Sequence, residues 1–299
     1  MKATLRPAHV ALALLIVAIW GTNFVVIKIG LRDFPPFLFA LLRFVFSAVP
    51  FVFFVRRPDV PWRWLAAYGV LLGAGQFGLL YFAMRADISP GLASLVIQTQ
   101  VPFTIALSVL VFREKIGLAA VAGTLLAIAG LGLIGWHLDA TVTARGVVLV
   151  LSAALCWGFA NITVKKASLE SGHSIDMLGF IVWSSVFAVP PLLLMTLAFE
   201  GATTAAHTLS GAHLDAWGAM AWQALGNTLF AFAAWSWLLT RYDAAVVSPY
   251  ALLVPVFGMG SSALLLGEPL PAWKFYAAAL VLGGIALITL APLLRRRIP

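Results

Sequence analysis

Apolar residues run through this chain in ten long stretches, approximately 9–29, 35–55, 62–84, 90–111, 117–136, 146–166, 175–199, 215–239, 244–266 and 272–294. Each is long enough to cross a bilayer core of roughly 30 Å as a helix rising about 1.5 Å per residue. The breaks carry Pro35-Pro36, Arg57-Pro58, Ser89-Pro90 and Pro269. Proline stops helices because it lacks an amide donor and restricts its predecessor. The pattern predicts an all-α, polytopic membrane protein of ten transmembrane helices joined by short loops, with no room for a separate soluble domain.

The ten stretches are one unit written twice. Trp20-Gly21 opens a segment ending in Lys28, and Trp157-Gly158 opens one ending in Lys165 at the same offset. Ala48-Val49-Pro50 is answered by Ala188-Val189-Pro190, and Pro102 with Glu114 by Pro255 with Glu268. These echoes divide the chain into five-helix repeats over 1–137 and 144–295. Composition agrees: 62% apolar and 10% charged residues, with a mean hydropathy of +1.01, leave too little polar side chain to cover a soluble globule. The single Cys156 permits no internal disulfide. The first apolar run continues without an Ala-x-Ala break and reads as a retained helix rather than a cleaved signal.

Lys and Arg positions orient the chain, because short cytoplasmic loops retain positive charge. With the N-terminus inside, the inner side holds thirteen: Lys2, Arg6, Arg56, Arg57, Arg63, Arg113, Lys115, Lys165, Lys166, Arg241, Arg295, Arg296 and Arg297. The outer side holds five: Lys28, Arg32, Arg85, Arg145 and Lys274. Both termini are thus expected on the cytoplasmic face of the plasma (cell inner) membrane. The net charge of +8 is then a topology signal and a contact for anionic lipid headgroups, not a nucleic-acid footprint. Five helices is an odd number, so the two repeats enter the membrane from opposite sides and are inverted. Inverted repeats are the architecture of secondary transporters, with the substrate site near the midplane between the halves.

Four segments carry a family likeness: Trp20-Gly21-x-Asn23, the stretch from Pro35 to Arg43 (PPFLFALLR), Pro102 to Glu114, and Pro255 to Glu268 (PVFGMGSSALLLGE). Over essentially its whole length the chain resembles the EamA family of the drug/metabolite transporter superfamily, and within it the aromatic amino-acid exporters. The resemblance implies ten helices in two repeats and export of metabolites. The implied substrates are small neutral or zwitterionic molecules, above all amino acids with aromatic or bulky apolar side chains. Planar organic cations and drugs are the alternative. Asn23 has no aligned twin: the same offset gives Ala160, with Asn161 one place later.

Polar groups deep in a span must be satisfied by protein or water, so they point into the bundle or a cavity. The candidates are Asn23, Gln76, Gln98, Gln100, Asn161 and Asn227, each open to two readings: substrate contact, or a hydrogen bond between helices. Trp157, Trp183, Tyr81 and Tyr250 lie at a depth suited to lining a pocket, or to core packing. Arg43 is the basic residue clearly inside a span. Pairing with a substrate carboxylate, bonding helix-end carbonyls and snorkelling all remain open for it. Pro102 and Pro255 fall at matched places in the fourth and ninth stretches, where a missing amide permits a kink or gate. Trp62, Trp64, Trp136, Trp217 and Trp273 lie near span ends as an interface belt.

No Asp or Glu falls mid-span, which predicts that export is not coupled through a buried carboxylate relay. Gly130-x-Gly132-x-x-Gly135 spells a dinucleotide pattern, but it lies inside an apolar helix with no strand before it, and reads as helix packing, like Gly69-x-x-x-Gly73. That small-residue pattern leaves both monomer and homodimer open. His9, His137, His173, His207 and His213 lie in loops or at helix ends, so the deep serines lack a base and an intramembrane enzyme is disfavoured. No cofactor or metal is expected.

Overall fold

The computed structural model describes residues 5–139, 141–172 and 175–295. Lys2, His173, Arg296 and Arg297 lie outside them. The described residues build helices α1 (Pro7–Asp33), α2 (Pro36–Ala48), α3 (Trp62–Ala86), α4 (Pro90–Phe112), α5 (Leu118–Trp136), α6 (Ala144–Ser171) and α7 (Met177–Glu200). A short α8 (Ala202–Gly211) comes next. Beyond it lie α9, continuous through Leu214–Ala221, Trp222–Phe230 and Ala231–Arg241, then α10 (Ser248–Leu266) and α11 (Ala272–Arg295). Eight of these are long and apolar enough to cross a membrane by length and composition. The 13-residue α2 and the more polar α9 complete ten membrane elements.

Local chemistry sets the helix starts. Pro7, Pro36 and Pro90 sit in the first turn, where their missing amide costs nothing. Thr143 Oγ1 accepts from Gly146 N at 2.9 Å to cap α6, and Asp176 accepts from Leu178 N and Gly179 N to cap α7.

Two expectations need correction. The second span was expected to reach residue 55, but α2 ends at Ala48, and residues 49–54 form turns with Phe53 and Phe54 exposed. The matching Pro190 stays inside α7. The residues beyond each proline account for the difference. Leu192, Leu193, Leu194 and Met195 carry α7 onward, whereas Phe51 to Val55 are aromatic and β-branched, weaker helix formers. The connection after α7, expected to be a short loop, contains α8, which buries none of its residues.

The five-helix units α1–α5 and α6, α7, α9, α10, α11 pack by a two-fold rule. α1 lies on α10 as α6 lies on α4, α3 lies on α6 as α9 lies on α1, and α2 pairs with α7 and α5 with α11. Exchanging the units maps each of these contacts onto another or onto itself. Two π-helical turns obey the same rule, in α3 at Leu71–Gly78 and in α9 at Trp222–Phe230, while a third, Thr196–Glu200 at the end of α7, has no counterpart in the shorter α2. Turns of 3-10 helix precede the matched prolines, at Ile97–Thr99 in α4 and Ser248–Leu253 in α10.

The repeated Trp-Gly phrase marks the crossings. A Cβ on Gly21 would collide with Phe257 Cβ and lie 2.6 Å from Val254 O of α10, while one on Gly158 would lie 3.3 Å from Phe103 Cβ and Thr104 N of α4. Gly21→Ala is therefore expected to cost about 1–3 kcal/mol, and Gly158→Ala roughly half as much or less. Thermal unfolding in detergent checks this, and equal losses would contradict the packing account. Gly69 and Gly73 meet Ser184 and Ala188 of α7, so that motif is used within the chain. Gly130 packs on Ala277 and Val281 of α11, whereas Gly132 and Gly135 face open space, so only the first glycine of that pattern serves helix packing.

Candidate functional site

Arg43 sits on the short helix α2 and is fully buried. Its Nε donates to Thr228 Oγ1 at 3.0 Å, and its Nη1 donates to Tyr81 Oη at 2.9 Å and Gln223 Oε1 at 2.8 Å. Its guanidinium carbon lies 3.6 Å from the centroid of the Phe77 ring. Tyr81 Oη also donates to Gln223 Oε1 at 2.9 Å, and Gln223 Nε2 donates to Asn23 Oδ1 at 2.6 Å. The network joins both repeats, since Asn23, Arg43 and Tyr81 belong to the first and Gln223 and Thr228 to the second. All the hydrogen-bonding partners of the cation are neutral, and Nη2 makes no hydrogen bond among the described residues.

The two π-helical turns place this shell. A π turn admits an extra residue and re-aims the side chains after it. Phe77 and Thr228, at the seventh place of each π segment, both touch Arg43. Their neighbours Gln76 and Asn227 are each 3% exposed, and Gln76 Oε1 and Asn227 Oδ1 have no hydrogen-bond partner among the described residues.

A second polar cluster lies between α4 and α6, where Asn161 Nδ2 donates to Gln100 Oε1 at 2.9 Å and Thr104 Oγ1 at 3.1 Å. Gln98 is buried in the 3-10 turn just before it. Trp157 and Tyr250 are half-buried against the core, and Tyr250 shares its surroundings with Trp20 and Trp235, whose rings lie 5.1 Å apart. Trp183 is placed apart from the network: its Nε1 donates to Val55 O at 3.0 Å and its ring meets Trp62, anchoring the turns after α2. Pro102 borders an apolar groove of about 400 Å³ between α4 and α5 that includes none of the Arg43 network, whereas Pro255 is buried against α1.

Gln223, Thr228, Phe77 and Thr104 complete these clusters and are absent from the candidates chosen on sequence. Gln223 offered a signal, standing one turn before Asn227 on the same helix.

The model of the EamA-like transporter family matches residues 8–136 and again residues 144–290. This chain belongs to the EamA-like transporter family. A "Probable amino-acid metabolite efflux pump" of Salmonella typhimurium is 40% identical over 280 residues, covering 92% of each chain. A protein of the same description from Escherichia coli K12 is 38% identical over the same share of each chain. The uncharacterized transporter YoaV of Bacillus subtilis is 29% identical over 91% of this chain and 93% of its own. One solved crystal structure superposes with a TM-score of 0.59 over 98% of this chain and 99% of the other at 19% identity, a likeness of fold. The EamA chain described here is an integral membrane transporter and not an enzyme.

Proposed function

We propose that this EamA transporter exports small zwitterionic amino acids with aromatic or bulky apolar side chains, by alternating access through the centre where the repeats meet. The observation that carries this reading is Arg43. A buried guanidinium surrounded by neutral hydrogen-bonding partners and the rings of Phe77 and Phe44 is a desolvated cation without a counter-ion among the described residues. A substrate carboxylate supplies that charge by accepting from Nη2, the nitrogen that the shell leaves free among the described residues. Tyr81, Gln223, Thr228 and Asn23 position the fork. Gln100, Asn161, Gln98, Trp157 and Tyr250 supply further surface toward the side chain, with Pro102 and Pro255 as the flexible points of α4 and α10. Amino-acid efflux is what the Salmonella and Escherichia relatives are named for.

We infer further that both termini are cytoplasmic, from the charge count, and that the protein sits in the cell inner membrane in contact with anionic lipid. Glu268 and Glu114 stand at helix ends rather than mid-span, so the reading is export down the substrate gradient or coupling by a route other than a mid-span carboxylate. Counterflow in proteoliposomes tests the reading: vesicles loaded with unlabelled L-phenylalanine should accumulate labelled phenylalanine saturably, with a rate unchanged by an imposed pH gradient. A protease-sensitive C-terminal tag reports which face is outside in those vesicles. Phenethylamine has the ring and ammonium without the carboxylate; counterflow of phenethylamine but not phenylalanine would replace the amino-acid reading with organic-cation export.

A further inference from the structure

The two-fold rule fails where α4 meets α10. Val254–Leu266, the outer half of α10, packs on Pro90–Val96, the outer half of α4. Exchanging the repeats calls for the same packing between Gln100–Phe112 of α4 and Ser248–Leu253 of α10, yet no comparable packing joins those inner halves. α1 also lies on Pro90–Val96, whereas α6 has no comparable packing on Ser248–Leu253. Burial divides at the same places. Every residue of 90–99 is buried, against Leu107 alone in Gln100–Phe112. The outer half of α10 buries Val254, Pro255, Gly258, Met259, Ser261 and Ser262, and Ser248–Leu253 buries none. The outer crossing is close: a Cβ on Gly258 would lie 2.4 Å from Ser94 Oγ. α4 and α10 thus form a V, shut at the outer end and parted at the inner one, and its arms change character at the 3-10 turns before Pro102 and Pro255.

The carboxylates that follow the two helices differ in the same sense. Glu268, just past α10, crosses to the first repeat, where it accepts from Ser89 Oγ at 2.6 Å and Gly91 N at 2.9 Å, and its side chain is 7% exposed. Its counterpart Glu114, just past α4, is 48% exposed and pairs with Lys165 of α6, within its own repeat. Glu200, closing α7 at the outer end, accepts from Phe37 N at 2.7 Å and Leu38 N at 2.9 Å, so the start of α2 is tied across the repeats as well. Matched residues held differently in two related places report a conformational state rather than a need of the fold. We infer that this structure is the state open toward the cytoplasm, in which an exporter loads, and that Glu268 on the start of α4 is the latch that keeps the outer end shut. Opening outward then parts Pro90–Val96 from Val254–Leu266 and brings Gln100–Phe112 onto Ser248–Leu253. The inference rests on the alternating-access reading above and adds which side is open and which contact decides it.

The test is labelling of single cysteines by a membrane-impermeant maleimide in vesicles of either orientation, in full-length protein whose one native cysteine is removed by Cys156→Ala. A C-terminal tag identifies the inner face. Thr104→Cys and Leu253→Cys report the inner halves, and Ser94→Cys and Ser262→Cys the outer ones. The inner pair should label from the tagged face at least about tenfold faster than the outer pair labels from the opposite face. Ser89→Ala removes one hydrogen bond to the charged latch; it should raise outer-pair labelling about tenfold and lower that of the inner pair. Ser89→Thr keeps the hydroxyl and should leave both rates where they were. An outer pair that labels as fast as the inner pair overturns the assignment of state, and rates unmoved by Ser89→Ala overturn the latch. A rise at all four positions with a lower melting temperature marks general loosening and overturns the latch too. No substrate enters the assay, so these failures leave the amino-acid reading standing, and absence of phenylalanine counterflow would overturn that reading alone.

Discussion

Arg43→Met is expected to reduce phenylalanine counterflow by about a hundredfold while leaving the protein folded. The two halves of that expectation come from different parts of the same network. The loss of transport follows from removing a charge-assisted contact to the substrate carboxylate; hydrogen bonds to charged groups contribute about 1.5–3 kcal/mol, or roughly ten- to a hundredfold in affinity. Persistence of the fold follows from the partners. Without Arg43, Tyr81 Oη still donates to Gln223 Oε1, Gln223 still reaches Asn23, and Thr228 Oγ1 still donates to Gln223 O at 2.8 Å. No acceptor is orphaned, and a buried cation is replaced by an apolar chain of similar reach, a change that is often neutral or stabilising. Arg43→Lys should fall between, retaining charge but losing the fork. Counterflow and thermal unfolding on the same preparations check this. A melting temperature that falls in step with transport would make Arg43 a structural strut and remove the observation on which the substrate assignment rests.

The fold was legible because the bilayer imposes its period on the whole chain, and the repeat was legible because Trp-Gly, Pro and Glu recur in the same order in corresponding spans. Those recurrences turned out to have mechanical meaning. Gly21 and Gly158 are crossings onto the helices that carry Pro255 and Pro102, and both prolines come after a 3-10 turn. Within the site, Arg43, Tyr81 and Asn23 were found by their depth alone. Gln223 and Thr228 were not: depth singled out Asn227 on that span, and the π turn over residues 222–230, which no composition signal announces, is what brings Thr228 as well as Gln223 to Arg43. Trp183 illustrates the converse. Its position in the seventh stretch suggested depth, but the early end of α2 brings Val55 O back to meet its indole.

Glu268→Gln is expected to destabilise the protein by about 3–5 kcal/mol, through a link that ties the second repeat to the first. Glu268 stands just past α10, where Gly267 turns the chain at φ 67°, and its carboxylate reaches across to the start of α4. It accepts from Ser89 Oγ at 2.6 Å, from Gly91 N at 2.9 Å and from Lys274 Nζ at 2.8 Å. The two charged side chains are only 7% and 3% exposed. Burial opposes ionisation of Glu268, but the hydrogen bonds from Lys274, Ser89 and Gly91 outweigh it and hold the carboxyl below its usual range; the positive end of α4 favours the charge as well. A depressed folded-state pKa contributes stability that is present above the ordinary carboxylate range and is lost as pH falls through the lowered value. The gap between wild type and Glu268→Gln should therefore stay constant at neutral pH and close only under acid conditions below that range. Removing one partner leaves Lys274 buried with Pro269 O as its remaining acceptor apart from the new amide, so the second substitution matters. The pair Glu268→Gln with Lys274→Met should recover most of the loss, because no uncompensated charge remains. Thermal unfolding of the four proteins closes that cycle. Additive losses would mean that the carboxylate acts as a cap for α4 independently of Lys274, whereas recovery means that the cost of Glu268→Gln is the unpaired Lys274 within the second repeat rather than the lost contacts to Ser89 and Gly91 of the first.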